Sequence, residues 1–372
     1  MADIKTHLRE LSVATTIGLY QAEIEFQPSD LYSSKRFLAY ARQVISNDIS
    51  SADSLADYTV FSGDLQLIIE NGYKLGRKIY NNPYFKIAKN DPIKWLGNDT
   101  QKGDPIDVSV GDYGFSLKEE SFILKNMGLY QLLNNLTGST YARGLHVFNT
   151  FAHSEYDKWF CYTWKSFIEY LMKHQQWKLE KGKDISRAFI GENNVVLYFN
   201  GEPSNVPINI TTNERFMYYT SSKTREKVFS KWIKTVFFDD PKYISLKKYC
   251  SETAGKRVSD KINAEFQPDN VYDFFQIYLD EYYYAKTTSS ETTILKVPGR
   301  DDFSSVIEFQ GCRYEVPASQ LNIITTFQNK QTKKILEFRN ECRFSHGQFN
   351  GTPEAKMYVV RNTPLTDLYE PL

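Results

Sequence analysis

The sequence has no excess charge of either sign. Its 372 residues carry 45 Lys+Arg and 45 Asp+Glu, a formal net charge of +0. That balance excludes whole-chain polyelectrolyte behaviour, such as a histone-like binder, an acidic tail or a polybasic membrane protein. Long apolar runs are missing too: no stretch of 18 apolar residues occurs, so no transmembrane helix is expected. The first 25 residues contain acids and lack an apolar core ahead of a small-residue cleavage site, so no secretory signal is expected. Cysteine is scarce, with Cys161, Cys250, Cys312 and Cys342 far apart and no CxxC pair. Isolated thiols in a chain this long point to reduced cysteines and a cytoplasmic setting. GxxxxGK[ST], GxGxxG, HExxH and GxSxG are all absent, which removes the commonest nucleotide-binding, zinc-protease and hydrolase signatures. Cys342 and His346 are spaced like half of a zinc site, but there is no second pair.

Apolar material is plentiful. Hydrophobic residues make up 41% and aromatics 15%, with 26 Tyr and 25 Phe, enough for a substantial core. The length suits two lobes. Residues 1–90 read as mostly helical. One amphipathic helix is expected over 31–45 behind the start signal Pro28-Ser29-Asp30, and a second over 64–80, stopped by Asn81-Asn82-Pro83. Residues 90–103 are rich in turn formers and read as a loop. Helical spacing returns at 122–136 and 155–178. Strands are expected at 194–199 and 206–211, and helices over most of 223–283. From about residue 292 the pattern is β, clearest at 335–344, where Leu336, Phe338, Asn340, Cys342 and Phe344 alternate with Glu337, Arg339, Glu341 and Arg343. The echo of AEIEFQPSD (22–30) in NAEFQPDN (263–270) is too short to be a repeat.

The segment with chemical content is GDPIDVSVGDYGFSLKEES, residues 103–121. Two apolar runs around Gly111-Asp112-Tyr113-Gly114 predict a β-hairpin. Val108 and Val110 anchor the first strand. On the second, Phe115 and Leu117 point one way while Ser116, Lys118 and Glu120 point the other. Strands lie about 4.8 Å apart, so Asp107 comes within reach of Ser116, Lys118 and Glu120. Carboxylates at that range suit a hard divalent cation such as Mg²⁺, and a lysine beside them orients a metal-activated water or offsets phosphate charge. Asp104 is a further possible metal ligand. A nucleotidyltransferase would need two acids on one strand face. Asp104 and Asp107, three apart, fall on opposite faces.

This segment resembles the PD-(D/E)XK nuclease superfamily, in particular type II restriction endonucleases. That pattern places an acid at the opening of one strand, (D/E)-x-K on its hairpin partner and another acid on an upstream helix. Asp107 matches the first acid, and Ser116-Leu117-Lys118 matches the second element with Ser in place of the acid. Glu120 is the first candidate for the relocated carboxylate, and Glu70 on the preceding helix for the upstream acid. The resemblance covers about 20 residues directly, and implies an α/β (α+β) fold with a mixed central sheet flanked by helices. It implies Mg²⁺ as cofactor, held by Asp107 with Glu120 or Asp104, double-stranded DNA as substrate and a homodimer as the working unit.

Two further regions suit a nucleic-acid partner. Residues 215–261 hold 12 Lys+Arg and 5 Asp+Glu, including Lys223, Arg225, Lys227, Lys231, Lys247, Lys248, Lys256 and Arg257. Such a segment neutralises phosphates without regard to sequence. Residues 339–351 carry Arg339, Asn340, Arg343, His346, Gln348 and Asn350 among glycines. Arg, Asn and Gln are the side chains that make paired contacts with base edges. The division expected is a helical region with a catalytic α/β core over 1–190, then a mixed α/β recognition region with basic helices and C-terminal strands over 191–372. The competing expectation is a DNA-binding or interaction protein without catalysis, in which the hairpin is merely polar surface.

Overall fold

Three helices open the chain: α1 (Ile4–Gln21), α2 (Ser34–Val44) and α3 (Asp64–Asn81). The computed structural model describes residues 4–97, 106–118, 123–142, 144–176, 178–180, 183–191, 195–199, 208–275, 282–288, 291–299, 303, 305–345, 347–360 and 368–372. α1 is buried on every side from Glu10 to Leu19, the mark of a central rather than a surface helix. Its small residues let α3 come close. A Cβ added to Gly76 would sit 2.8 Å from the Cβ of Thr16, and one added to Gly72 would collide with Ser12.

The chain then builds β1 (Ile93–Trp95) and a hairpin of β2 (Val108–Val110) and β3 (Tyr113–Lys118), which turns at Gly111 with φ of +54°. β4 (Ile123–Met127) follows, then α4 (Leu129–Thr137), α5 (Val147–Phe151) and α6 (His153–Lys173). A small antiparallel sheet comes next, with β5 (Lys178–Glu180), β6 (Lys183–Ile190), β7 (Val195–Phe199) and β8 (Ile208–Asn209) in sequence order. α7 (Asn213–Tyr219) and α8 (Ser222–Thr224) lead through two π-helical turns into α9 (Pro241–Glu265) and α10 (Val271–Phe275). α9 begins where the Asp240 carboxylate accepts the N–H of Tyr243 at 2.7 Å, with Pro241 at its first position. The remaining strands are β9 (Tyr282–Thr287), β10 (Thr292–Val297), β11 (Ile307–Glu315), β12 (Asn322–Asn329), β13 (Ile335–Arg343), β14 (Glu354–Val359) and β15 (Glu370–Pro371).

Six strands form a mixed sheet in the order β1-β2-β3-β9-β10-β15. Its pairs are antiparallel except β3–β9, which is parallel and sets Phe115 opposite Tyr283 and Lys118 opposite Lys286. A five-stranded antiparallel sheet has the order β11-β12-β13-β14-β4. The mixed sheet lies between two apolar cores. Tyr283, Ala285, Phe115 and Leu117 join a core with α1, α2 and α3. Tyr282, Tyr284, Leu295 and Val297 join a second core with α4, α6, α9 and the five-stranded sheet.

The mixed α/β character matches the reading of the sequence, and several local expectations do not. Residues 122–136, read as one helix, give β4 before α4, because β4 completes the five-stranded sheet against β14. The loop read at 90–103 contains β1, paired with β2. β9 starts at the last two residues of the stretch read as helical and continues through residues given no element in that reading.

The α1–α3 approach is testable. Gly72→Val should lower stability by about 1–3 kcal/mol, since the helices must part to admit the side chain. Urea unfolding measures this, and an unchanged midpoint would show that the contact is looser than described.

Candidate functional site

The hairpin delivers Asp107 and Lys118 to one place. Asp107 precedes β2, with its own N–H on the carbonyl of Phe115 at 2.9 Å and its carbonyl accepting Leu96 N–H at 2.8 Å. Its side chain folds across the hairpin, where Oδ2 accepts the N–H of Leu117 at 2.6 Å. The Lys118 Nζ lies 3.9 Å from the same oxygen. Both side chains are partly open to solvent, at 21% for Asp107 and 24% for Lys118.

A third ionisable group joins them from α1. Glu10 is only 4% exposed and is the one carboxylate or cation among the described residues that is buried. Its Oε2 accepts the indole N–H of Trp95 at 2.7 Å. Trp95 in turn packs against the His7 ring, 5.1 Å away and nearly perpendicular. Gly97 makes room for the acid, since a Cβ there would collide with the carboxylate. Burial first, and then the negative charge of Asp107, raise the Glu10 pKa, while Trp95, Arg9 and Lys118 work in the opposite direction, for a net value of about 7.

Glu70, read as the upstream acid, is not part of this cluster. Its carboxylate accepts the Tyr32 hydroxyl at 2.8 Å and the Gln66 amide at 3.0 Å. Those two bonds lower its pKa, and neither Asp107 nor Lys118 is among the groups that act on it. The reading of Ser116 is also corrected in part. It pairs with Tyr284 on β9 and is 3% exposed, so its hydroxyl lies under the second core and not in the open with Lys118. Asp104 and Glu120 lie outside the described residues. Among the described residues no group of three or more His, Cys, Asp or Glu is gathered tightly enough to hold a metal ion.

One sequence signal for Glu10 existed. It is the last charged residue before an uncharged stretch from Leu11 to Ala22, an acid at the edge of a helix segment built for burial. Trp95 and Gly97 carried none, because both sat in a segment read as loop.

The basic candidates sort into three kinds. Several are structural. Arg225 donates to Asn350 Oδ1 at 2.8 Å, to the Met217 carbonyl at 3.0 Å and to the Thr220 carbonyl, and Arg257 donates to the Phe151 carbonyl at 2.8 Å. Others are paired at the surface: Lys227 with Glu226, Lys248 with Glu252, Lys256 with Asp260, and Arg343 with both oxygens of Glu341 at 2.8 and 3.2 Å. Arg339 sits over the Tyr358 ring at 4.9 Å and 4.0 Å from Glu341. Lys223, Lys231 and Lys247 make no ion pair with a described residue. Asn340 and Asn350 are buried, so neither is presented to a base edge. The Gln348 side chain accepts the Tyr243 hydroxyl, and His346 lies outside the described residues.

The four cysteines are free, and burial pushes the thiols of Cys250, Cys312 and Cys342 upward, as it does Cys161 to about 11. None is a nucleophile at neutral pH. No helix among the described residues is long and apolar enough to cross a membrane. Compared with models of protein families, with curated proteins and with solved structures, the chain finds no match.

The raised Glu10 pKa has a consequence for stability. The folded state holds this proton up to about pH 7, whereas the unfolded chain releases it near 4.5. Glu10 therefore costs stability as pH rises through that window, by at most about 3 kcal/mol. Glu10→Gln, which keeps an acceptor for Trp95, should unfold at higher temperature than wild type at pH 8. The difference should shrink toward pH 5. Equal melting at pH 8 would mean that the carboxylate is not under strain.

Proposed function

We propose that the chain is a Mg²⁺-dependent endodeoxyribonuclease of the type II restriction kind, built on a PD-(D/E)XK-like core. The observation that carries this reading is the convergence of Glu10, Asp107 and Lys118. An acid opens one hairpin strand, a lysine lies on its partner, and a second acid comes from an upstream helix onto the same mixed sheet. The upstream acid is Glu10 and not Glu70.

The donor set suits a hard cation. Two carboxylates repel each other here, and one is buried with its pKa raised to about 7. A divalent ion between them would relieve both costs, since it prefers anionic oxygen ligands. Asp107 and Glu10 are the described residues that would hold it, with Asp104 and Glu120 as the further acids of the segment. When bound, the ion would lower the pKa of a coordinated water and stabilise charge on the phosphate.

The chain's own groups have separate tasks. The Leu117 N–H holds one oxygen of Asp107 and so orients its carboxylate. Lys118, 3.9 Å away, orients the attacking water and offsets the charge that builds on the phosphate. In the attack the water gives up a proton to solvent as its oxygen forms the new P–O bond, the P–O bond to one deoxyribose breaks, and the departing oxygen takes a proton from solvent. The tyrosine-rich strand β9 braces Lys118 from the side through its parallel pairing with β3. Homodimeric action on double-stranded DNA and a cytoplasmic setting complete the reading, both carried by the resemblance and composition.

Cleavage of unmethylated phage DNA in Mg²⁺ tests it. Wild type should give discrete fragments, and Asp107→Ala and Lys118→Ala should each lose about 100-fold or more in rate. Glu70→Ala should cleave as wild type does. Salt-dependent DNA binding without cleavage would select the non-catalytic alternative, and equal cleavage by both active-site variants would refute the assignment.

The rate should also depend on pH through Glu10. Its carboxylate form dominates only above about pH 7, so at limiting Mg²⁺ cleavage should rise between pH 6 and 8. In Glu10→Asp that rise should shift. A flat profile from pH 6 to 8 would remove Glu10 from the metal site.

A further inference from the structure

A cavity of about 780 Å³ opens where α9, the second π-helical turn (Ile233–Phe237) and the turn Pro317–Ser319 meet the ends of β13 and β14. It gathers residues that are far apart in sequence. Lys234 and Lys247 come from the basic segment 215–261, Lys356 comes from β14, and Arg343 ends β13. Arg343 is neutralised by Glu341. The three lysines form no ion pair with a described residue, so the cavity holds a surplus of positive charge. Lys247 is also partly removed from solvent, and that burial lowers its pKa. Such a cost is removed when an anion is bound beside it.

The same cavity has an apolar rim. Phe238 is 58% exposed and Ile244 39%, both unusually open for large apolar side chains. The backbone opposite them is strained: Ala318 and Ser319 take φ of +46° and +66° in succession without being glycine. Non-glycine residues in this region cost free energy and gather at ligand sites. Inorganic phosphate would satisfy the lysines and leave the rim wet. A duplex is too wide for a concavity of this size, whereas small-ligand pockets run from about 300 to 1,000 Å³.

We propose that this cavity binds a single nucleotide, its phosphate on Lys234, Lys247 and Lys356 and its planar base against Phe238 and Ile244. The base–aromatic contact tolerates any base. The nucleotide can be free or an unpaired residue of a strand, and the chemistry recognised is the same. The site is separate from the Glu10–Asp107–Lys118 cluster, and its test has no cleavage readout.

Calorimetry in EDTA with dAMP, deoxyadenosine and inorganic phosphate tests the proposal. dAMP should bind saturably at one per chain, and the other two at least about tenfold more weakly. A duplex with one unpaired adenosine, compared with its fully paired counterpart, reports the strand-borne form. Lys234→Gln with Lys356→Gln, both outside the core, should weaken dAMP at least about tenfold while melting as wild type does. Phe238→Ser should weaken dAMP but not phosphate. The proposal is overturned if neither dAMP nor the unpaired adenosine binds. It is equally overturned if phosphate matches dAMP, or if the lysine double variant binds dAMP unchanged.

Discussion

The burial of one carboxylate organises this molecule. α1 is packed against α3 and the mixed sheet, and Glu10 is the only Asp, Glu, Lys or Arg among the described residues that is buried. Burying a charge in apolar surroundings is costly unless it is paired, hydrogen-bonded or neutralised. Trp95 supplies one hydrogen bond and Lys118 a distant cation, while Asp107 makes the position worse. The local structure accepts this cost in several places at once. Gly97 gives up its side chain, and the hairpin turns Asp107 back onto the Leu117 N–H. On the proposed reading, a cation held by Glu10 and Asp107 would offset this cost.

The sheet explains how the site can be both rigid and open. β3 is bonded to β2 over Tyr113–Phe115 and to β9 over Phe115–Lys118, so Lys118 itself is fixed laterally by β9. β9 buries alternate residues in opposite cores, Tyr283 and Ala285 with the N-terminal helices and Tyr282 and Tyr284 with the rest. The second half of the chain thereby holds the strand that carries Lys118. Packing changes in that half would be felt at the hairpin through β9.

Legibility followed the number of independent local signals. The hairpin was readable because Gly111-Asp112 and the alternation of Phe115 and Leu117 agree, and Gly111 does take positive φ. β13 was readable because its two faces differ in polarity: Leu336, Phe338 and Cys342 are buried, while Glu337 and Arg339 are not. β9 was not. A strand buried on both faces has no alternation, and Tyr282-Tyr283-Tyr284-Ala285 gives no period to detect. The proximity of Asp107 and Lys118 was legible because they share a hairpin. Glu70 was chosen over Glu10 because both helices lie against the mixed sheet, α1 at β1 and β2 and α3 at β9 and β10, and the order of helices does not say which carries an acid toward the hairpin. The base-reading candidates were chosen by residue type, and Asn340 and Asn350 prove to be buried, a property that type alone does not reveal.

The most direct test of the cation site is the proton balance of Mn²⁺ binding near pH 6.5, measured by calorimetry in buffers of different ionisation enthalpy. Glu10, with its pKa at about 7, is then largely protonated and must give up that proton when it becomes a ligand. Wild type should release about three-quarters of a proton per Mn²⁺ bound, and Glu10→Gln should bind more weakly and release almost none. Mn²⁺ binding to wild type without proton release, or equal release from Glu10→Gln, would contradict the assignment of Glu10 and Asp107 as a shared metal site.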